Sequence, residues 1–145
     1  MQRSAALTPL SRDHQHALDA ALRLRRADPA TVEAVIERFL AFWAAEGRRH
    51  FEIEEGHLLG ALPADDPEWA PGVARVRADH AAIRAAATTL ADGGGNRLST
   101  ARTTGERLRA HVRIEERELF TLLERRQAPE ELERVGEAIA RAERA

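Results

Sequence analysis

The chain has no cysteine, no tyrosine and no lysine, and a single methionine. Without cysteine there can be no disulfide, no thiolate metal ligand and no cysteine nucleophile, so any metal must be held by His and carboxylate. Aromatic residues are only 4% of the 145 residues, and strand signals are correspondingly scarce. An excess of one charge is also missing: 22 basic against 24 acidic residues leave a formal net charge of -2. Nothing global therefore draws the chain to nucleic acid or to an anionic membrane. No apolar run reaches transmembrane length and no signal-peptide core follows Met1, which makes the cytoplasm the expected location.

What is abundant is Ala, Leu, Arg and Glu, all strong helix formers, and the expected class is all-α. The length suits one domain with its own core. Every basic residue is Arg, which we attribute to compositional bias, because Arg and acidic residues alternate as solvated i,i+4 pairs would.

The most informative feature is an internal repeat. His50-Phe51-Glu52-Ile53-Glu54-Glu55-Gly56-His57-Leu58-Leu59 and His111-Val112-Arg113-Ile114-Glu115-Glu116-Arg117-Glu118-Leu119-Phe120 share His, Ile, Glu-Glu and Leu at the same offsets. Each follows an Asp-His pair, Asp13-His14 or Asp79-His80. On a helix, residues four apart lie about 6 Å apart along one face. His50 with Glu54, and His111 with Glu115, thus form two-pronged N,O ligand sets.

Periodicity places these residues on four helices. Thr8-Pro9 offers a capping oxygen and a first-turn proline, after which Leu10, His14, Ala17, Leu18 and Ala21 share a face. Asp28-Pro29 repeats the signal and opens a long second helix with an inward stripe of Val32, Val35, Ile36, Phe39, Phe42, Trp43, Glu46, His50, Ile53, Glu54 and His57, ending near Leu62-Pro63. Asp66-Pro67 offers a start for a third helix, and because Pro71-Gly72 follow so closely, a short turn and then a helix from about Val73 is an equal reading; on it Val73, Val76, His80, Ile83 and Ala87 align. Gly93-Gly94-Gly95 is a loop, a tether rather than a phosphate cradle, since no strand precedes it. The fourth helix turns Leu108, His111, Ile114, Glu115, Leu119 and Leu122 inward. From Pro129 a short tail helix carries Leu132, Val135 and Ile139. The expected architecture is an antiparallel up-down-up-down four-helix bundle over about 8–126 with a short C-terminal helix at about 129–143, in one domain spanning 1–145.

All four helices then contribute to one constellation: His14, His50, Glu54, His80, His111 and Glu115. Its pseudo-twofold arrangement offers two metals similar surroundings, with carboxylates free to bridge and coordination places left open. Imidazole with carboxylate suits non-haem iron, with Mn or Zn as alternatives. A lone His on an apolar face is usually a satisfied core residue. Burying four His and two Glu without a metal, however, would leave several polar or charged groups uncompensated, at a cost of some kcal/mol each by order of magnitude. Glu46, one turn before His50, is expected to orient a ligand histidine rather than to ligate, with an ordinary surface-edge residue as the remaining alternative. His57, in phase with Glu54, is read as a core or boundary residue, with pocket lining as the alternative, and His16 as surface. Asp13, Asp79, Glu55 and Glu116 are expected to hydrogen-bond or form ion pairs rather than bind metal. Phe39, Phe42 and Trp43 read as packing above the site, or as the dry wall of a pocket for a gas.

The two Asp-His pairs and two His-x-x-x-Glu-Glu motifs, the second running on into Leu119-Phe120, resemble the hemerythrin-like, HHE cation-binding domains over roughly Leu7 to Leu123. They differ from the Glu-x-x-His order of ferritin-like di-iron proteins. The resemblance implies an antiparallel four-helix bundle around two iron ions with a bridging oxygen species. Its ligands would be His14, His50, Glu54, His80, His111 and Glu115, both Glu bridging. One departure stands out: the oxygen-carrying members have a second His one turn away on the third helix, where this chain has Val76 or Arg84. That argues against simple reversible oxygen carriage.

Three functions compete. The first is a di-iron protein binding O2, peroxide or NO, in sensing, storage or protection. The second is an enzyme with the same centre, turning over peroxide or NO or repairing iron centres. The third is a binding module in which metal is structural and the partner is another protein. Whether the chain is an enzyme stays open at this stage. A small diatomic or peroxide ligand is expected, with no nucleic acid or membrane partner.

Overall fold

The computed structural model describes residues 3–63 and 65–145, and these are helices joined by turns. There are five: α1 (Thr8–Arg25), α2 (32–61), α3 (Ala70–Asp92), α4 (97–126) and α5 (Pro129–Arg144). None of them is long and apolar enough to cross a membrane. Two are not uniform. In α2, α-helical Val32–Phe42 and Arg48–Ile53 alternate with wider π turns at Trp43–Gly47 and Glu54–Leu58, and the helix closes on a 3-10 turn at Leu59–Ala61. In α4, a π turn at Glu115–Leu119 separates Arg97–Ile114 from Phe120–Arg126. Two of the three π turns thus begin at Glu54 and Glu115. Such turns cluster at functional sites because the extra residue per turn re-aims side chains.

The helix ends follow local chemistry, with two departures from expectation. Asn96 accepts a hydrogen bond from the Ser99 N–H at 2.9 Å and caps α4. Gly93 ends α3 at φ 77°, a left-handed position that costs glycine nothing. Thr8 does not cap α1: its hydroxyl donates to the Ser4 carbonyl, and Leu7 occupies the cap. Asp28 lies before α2 rather than opening it; its carboxylate accepts from the Ala30 and Thr31 N–H groups and shapes a turn that delays the helix to Val32.

Along the α1 face that meets α4, partners descend as α1 ascends: Ser11 and His14 meet Glu116, Arg25 meets Glu106, and Ala27 meets Arg102. The same reversal relates α1 to α2, where Asp13 pairs with His50 and His16 with Glu46. Close approach of α1 and α4 depends on Gly105, where an added Cβ would lie 2.8 Å from the Ala21 carbonyl oxygen.

Two apolar clusters fill the interior. One gathers Leu24, Ile36, Phe39, Ile83, Leu90 and Leu108 with their neighbours; the other gathers Leu7, Leu10, Leu58, Val76, Phe120 and Ile139 with theirs. On each of α1 to α4 the buried His and Glu residues lie in sequence between residues of the two clusters. A polar layer therefore sits between apolar ones. Each large aliphatic side chain buried in those layers contributes about 1.5–3 kcal/mol. Through Val135 and Ile139, α5 docks on the second cluster, and the Arg49 guanidinium from α2 caps its last carbonyls.

Candidate metal centre

The polar layer consists of His14, His50, Glu54, His80, His111 and Glu115, all buried. Two overlapping groups bring potential ligand atoms within 4.8 Å of one another: Glu54, His80, His111 and Glu115, and His14, His50 and Glu54. The two carboxylates face both ways. Oε2 of Glu54 lies 3.2 Å from His50 Nε2 and 3.6 Å from His14 Nε2, while its Oε1 lies 3.1 Å from His80 Nε2. Glu115 turns Oε2 toward His14 Nε2 at 3.9 Å and Oε1 toward His80 and His111. The imidazoles pair edge to face, His14 with His50 at 4.9 Å between centroids and His80 with His111 at 4.8 Å. The result is two half-sites, each with two Nε2 atoms and one oxygen from each glutamate.

The residues next to these six hold the rings. His14 Nδ1 donates to Glu116 at 2.6 Å, His50 Nδ1 to Asp13 at 2.9 Å and His80 Nδ1 to Glu55 at 2.7 Å; His111 Nδ1 reaches Asp79 at 3.4 Å. A carboxylate can only accept, so each Nδ1 carries a proton and each Nε2 faces inward, where metal and proton compete for it. The repeat is now intelligible. Within each copy the Asp of Asp-His holds the His of His-x-x-x-Glu-Glu, whereas the second Glu of each copy reaches across to the other copy's Asp-His.

The site is incomplete as a hydrogen-bonding system. Nε2 of His14, His50 and His111, Oε2 of Glu54 and both oxygens of Glu115 are buried without a hydrogen-bond partner. Unsatisfied buried groups of this kind cost about 1–3 kcal/mol each, more when charged. A cation is what this donor set lacks: neutral imidazole lone pairs and carboxylate oxygens converge, and no protein donor reaches most of them. The residues fit a metal.

Without one, protons take its place. Burial by itself would lower the His14 pKa, but hydrogen bonds to Glu116 and Glu54 and the charges of Glu115 and Glu54 raise it to about 9. His111, disfavoured as a cation by burial, is raised to about 10 by Glu115 and Asp79. His50 and His80 are raised too, against burial, by Glu54 and Asp13 in the first case and by Glu115 and Glu54 in the second. Glu54, which burial would push up, is held well below the usual carboxylate range chiefly by His50.

Three further candidates fall outside the layer. His16 is exposed, as expected. Glu46 does not orient His50: it is exposed and bonds to His16 Nδ1 at 2.8 Å. Glu46 lies within the π turn at Trp43–Gly47, whose wider winding breaks the four-residue register toward His50 that the expectation assumed. His57 is exposed rather than core or boundary, because it lies inside the π turn that starts at Glu54. Sequence reasoning missed the aromatic supports. Phe51 stacks on His80 at 3.7 Å and Phe120 on His14 at 5.4 Å. Each Phe ends or adjoins a motif, a signal visible in His50-Phe51 and Leu119-Phe120.

Beside His50 lies a mostly apolar cavity of about 20 Å³ walled by Phe39, Phe42, Trp43, Gly47, Phe51 and Ile83, with Asp13 and Glu46 also in its lining. That volume suits a single small molecule, since one water needs about 10–15 Å³ on the same measure. Gly47 keeps the wall in place; a Cβ there would lie 2.7 Å from the Trp43 ring.

Compared with known families, residues 6–142 match the model of the hemerythrin HHE cation binding domain. No curated protein and no solved structure matches the chain.

Proposed function

The chain belongs to the hemerythrin HHE cation-binding family, and from that premise we propose that it is a non-haem di-iron protein taking O2, peroxide or NO as ligand, in sensing, storage or protection. The observation that carries this reading is the set of buried, unpartnered Nε2 and carboxylate atoms converging from both motif copies. We read His14 and His50 as ligands of one ion and His80 and His111 as ligands of the other. Glu54 and Glu115 would serve both ions, since each turns one oxygen toward either pair of histidines. Imidazole and carboxylate without thiolate favour iron, with Mn and Zn as alternatives. The four α-helices are read as an antiparallel up-down-up-down bundle forming one domain with the C-terminal helix.

When bound, the iron pair supplies the redox chemistry toward the small ligand. The protein's own contribution is positional. Asp13, Glu55, Asp79 and Glu116 hold the protons on Nδ1 and so keep each Nε2 available. Phe39, Phe42 and Trp43 keep the small cavity beside His50 apolar, which excludes bulky and charged ligands and admits a diatomic or peroxide-sized one.

A second reading, enzymatic turnover of peroxide or NO, is favoured by one feature. Where oxygen carriers of the resembled family have a further histidine on the third helix, Val76 is buried in the apolar cluster and Arg84 is engaged with Glu55. Four histidines leave more open coordination places than five.

The test is metal analysis of protein from iron-fed cells, followed by anaerobic reduction and exposure to air. Two irons per chain, with near-ultraviolet and visible charge-transfer bands that reverse on degassing, are expected for the binder. Steady consumption of added peroxide selects the enzyme. Stoichiometric zinc without redox response leaves only a structural module and overturns both.

A further inference from the structure

We propose that Arg84 is a positioning residue for His80 and thereby sets how tightly one of the two cation places is held. The inference rests on the two-ion reading above but concerns a side chain that belongs to neither motif. Arg84 acts on His80 by two routes. Its guanidinium donates twice to Glu55, Nη1 to Oε2 at 2.7 Å and Nη2 to Oε1 at 2.9 Å, and the same Oε2 accepts from His80 Nδ1 at 2.7 Å. The guanidinium also lies 5.7 Å from the Phe51 ring centroid, on the ring that stacks on His80 at 3.7 Å and 6° from parallel. An imidazole has one rotation about its Cβ–Cγ bond and one tilt of its plane to fix. The Glu55 hydrogen bond fixes the first and the Phe51 stack limits the second. Arg84 braces both.

The opposite half-site makes the point by contrast. There Glu116 is held by a different set: Ser11 Oγ donates to it at 2.7 and 3.1 Å, Arg3 approaches its Oε1 at 3.4 Å and donates to its backbone carbonyl at 2.7 Å, and Phe120 lies 5.4 Å from His14. The repeat itself supplies neither brace. Four residues after His80 comes Arg84, whereas four residues after His14 comes Leu18. Motifs that match in sequence are thus held by supports that do not. A bidentate guanidinium is required for the Arg84 brace; a lysine provides a single mobile point charge.

The experiment is an anaerobic titration of the metal-free full chain with Co2+, followed by its visible absorption, alongside melting of each variant by circular dichroism. Wild type is expected to take two equivalents. Arg84→Met, which keeps an aliphatic stem across Phe51, should weaken one equivalent by about tenfold or more, the range seen when a partner of a ligating histidine is lost, and leave the other within about twofold. Arg84→Lys should recover only part of the loss, and Glu55→Gln should weaken the same equivalent. Arg97→Met, whose pair with Glu33 is remote, should change neither. Unchanged affinities in Arg84→Met overturn the proposal. So does equal weakening of both ions accompanied by a lowered melting point that Arg84→Lys fully restores, since that is a structural role. If wild type takes one Co2+, the two-ion reading falls, and an unchanged affinity for that ion in Arg84→Met removes the positioning role as well.

Discussion

Leu24 and Glu54 are both withdrawn from water altogether, one in an apolar layer and the other in the polar layer. For Leu24 that withdrawal is itself the source of stability, because apolar area leaves water and meets close-packed neighbours. For Glu54 it is a cost, offset only when positive charge reaches the carboxylate. The same four helices build both layers, so the difference lies in what each layer needs to be complete. The apolar layers close on themselves. The polar layer closes on protons shared with four histidines or, by the reading above, on two cations.

The sharpest way to break the comparison is to remove both carboxylates. Glu54→Ala with Glu115→Ala should take metal content from two ions per chain to none, checked by elemental analysis after dialysis, while the helical circular dichroism persists. Full iron loading in that double variant would end the site assignment. Leu24→Ala should do the reverse. We expect a loss of about 2–5 kcal/mol in unfolding free energy from the cavity it leaves, measured by urea titration, with metal stoichiometry intact.

pH separates the layers next. In the metal-free protein His14 and His111 keep their protons up to about pH 9 and 10, against about 6.5 for an unfolded histidine. Folded values raised in this way add stability that is fully present below about pH 6.5 and is lost as pH rises through the folded values. The metal-free melting temperature should therefore fall between neutral and pH 10. The metal-loaded protein should not share that fall, because metal and proton compete for the same Nε2 atoms; parallel curves for the two forms would contradict the assignment. The smallest effect is expected outside both layers. Glu46→Gln alters an exposed hydrogen bond with His16, worth about 0–1 kcal/mol, and should leave the metal-binding isotherm unchanged.

Much of this was legible in the residues. His14, His50, Glu54, His80, His111 and Glu115 stood out because chemistry-bearing side chains recurred at helical spacing in register with apolar ones, and the structure buries all six in one layer. The hydrogen-bonding part given to Asp13, Glu55, Asp79 and Glu116 also followed from their place beside those residues. Glu46 and His57 were misjudged for a shared reason: a uniform 3.6-residue period was carried through stretches that wind as π turns. The extra residue in such a turn is decided by how helices pack, and periodicity alone does not register it.

By itself the sequence determined the helical class, the two-copy logic and the chemistry of the six buried side chains, because these depend on residue type and on spacing within one helix. Only the tertiary structure decided which carboxylate holds which histidine, that the second glutamate of each copy serves the other copy, and that Arg84, Arg3, Phe51 and Phe120 brace the rings. Those contacts join residues far apart in the chain, and their geometry depends on how four helices are rotated and seated against one another, which no local pattern encodes.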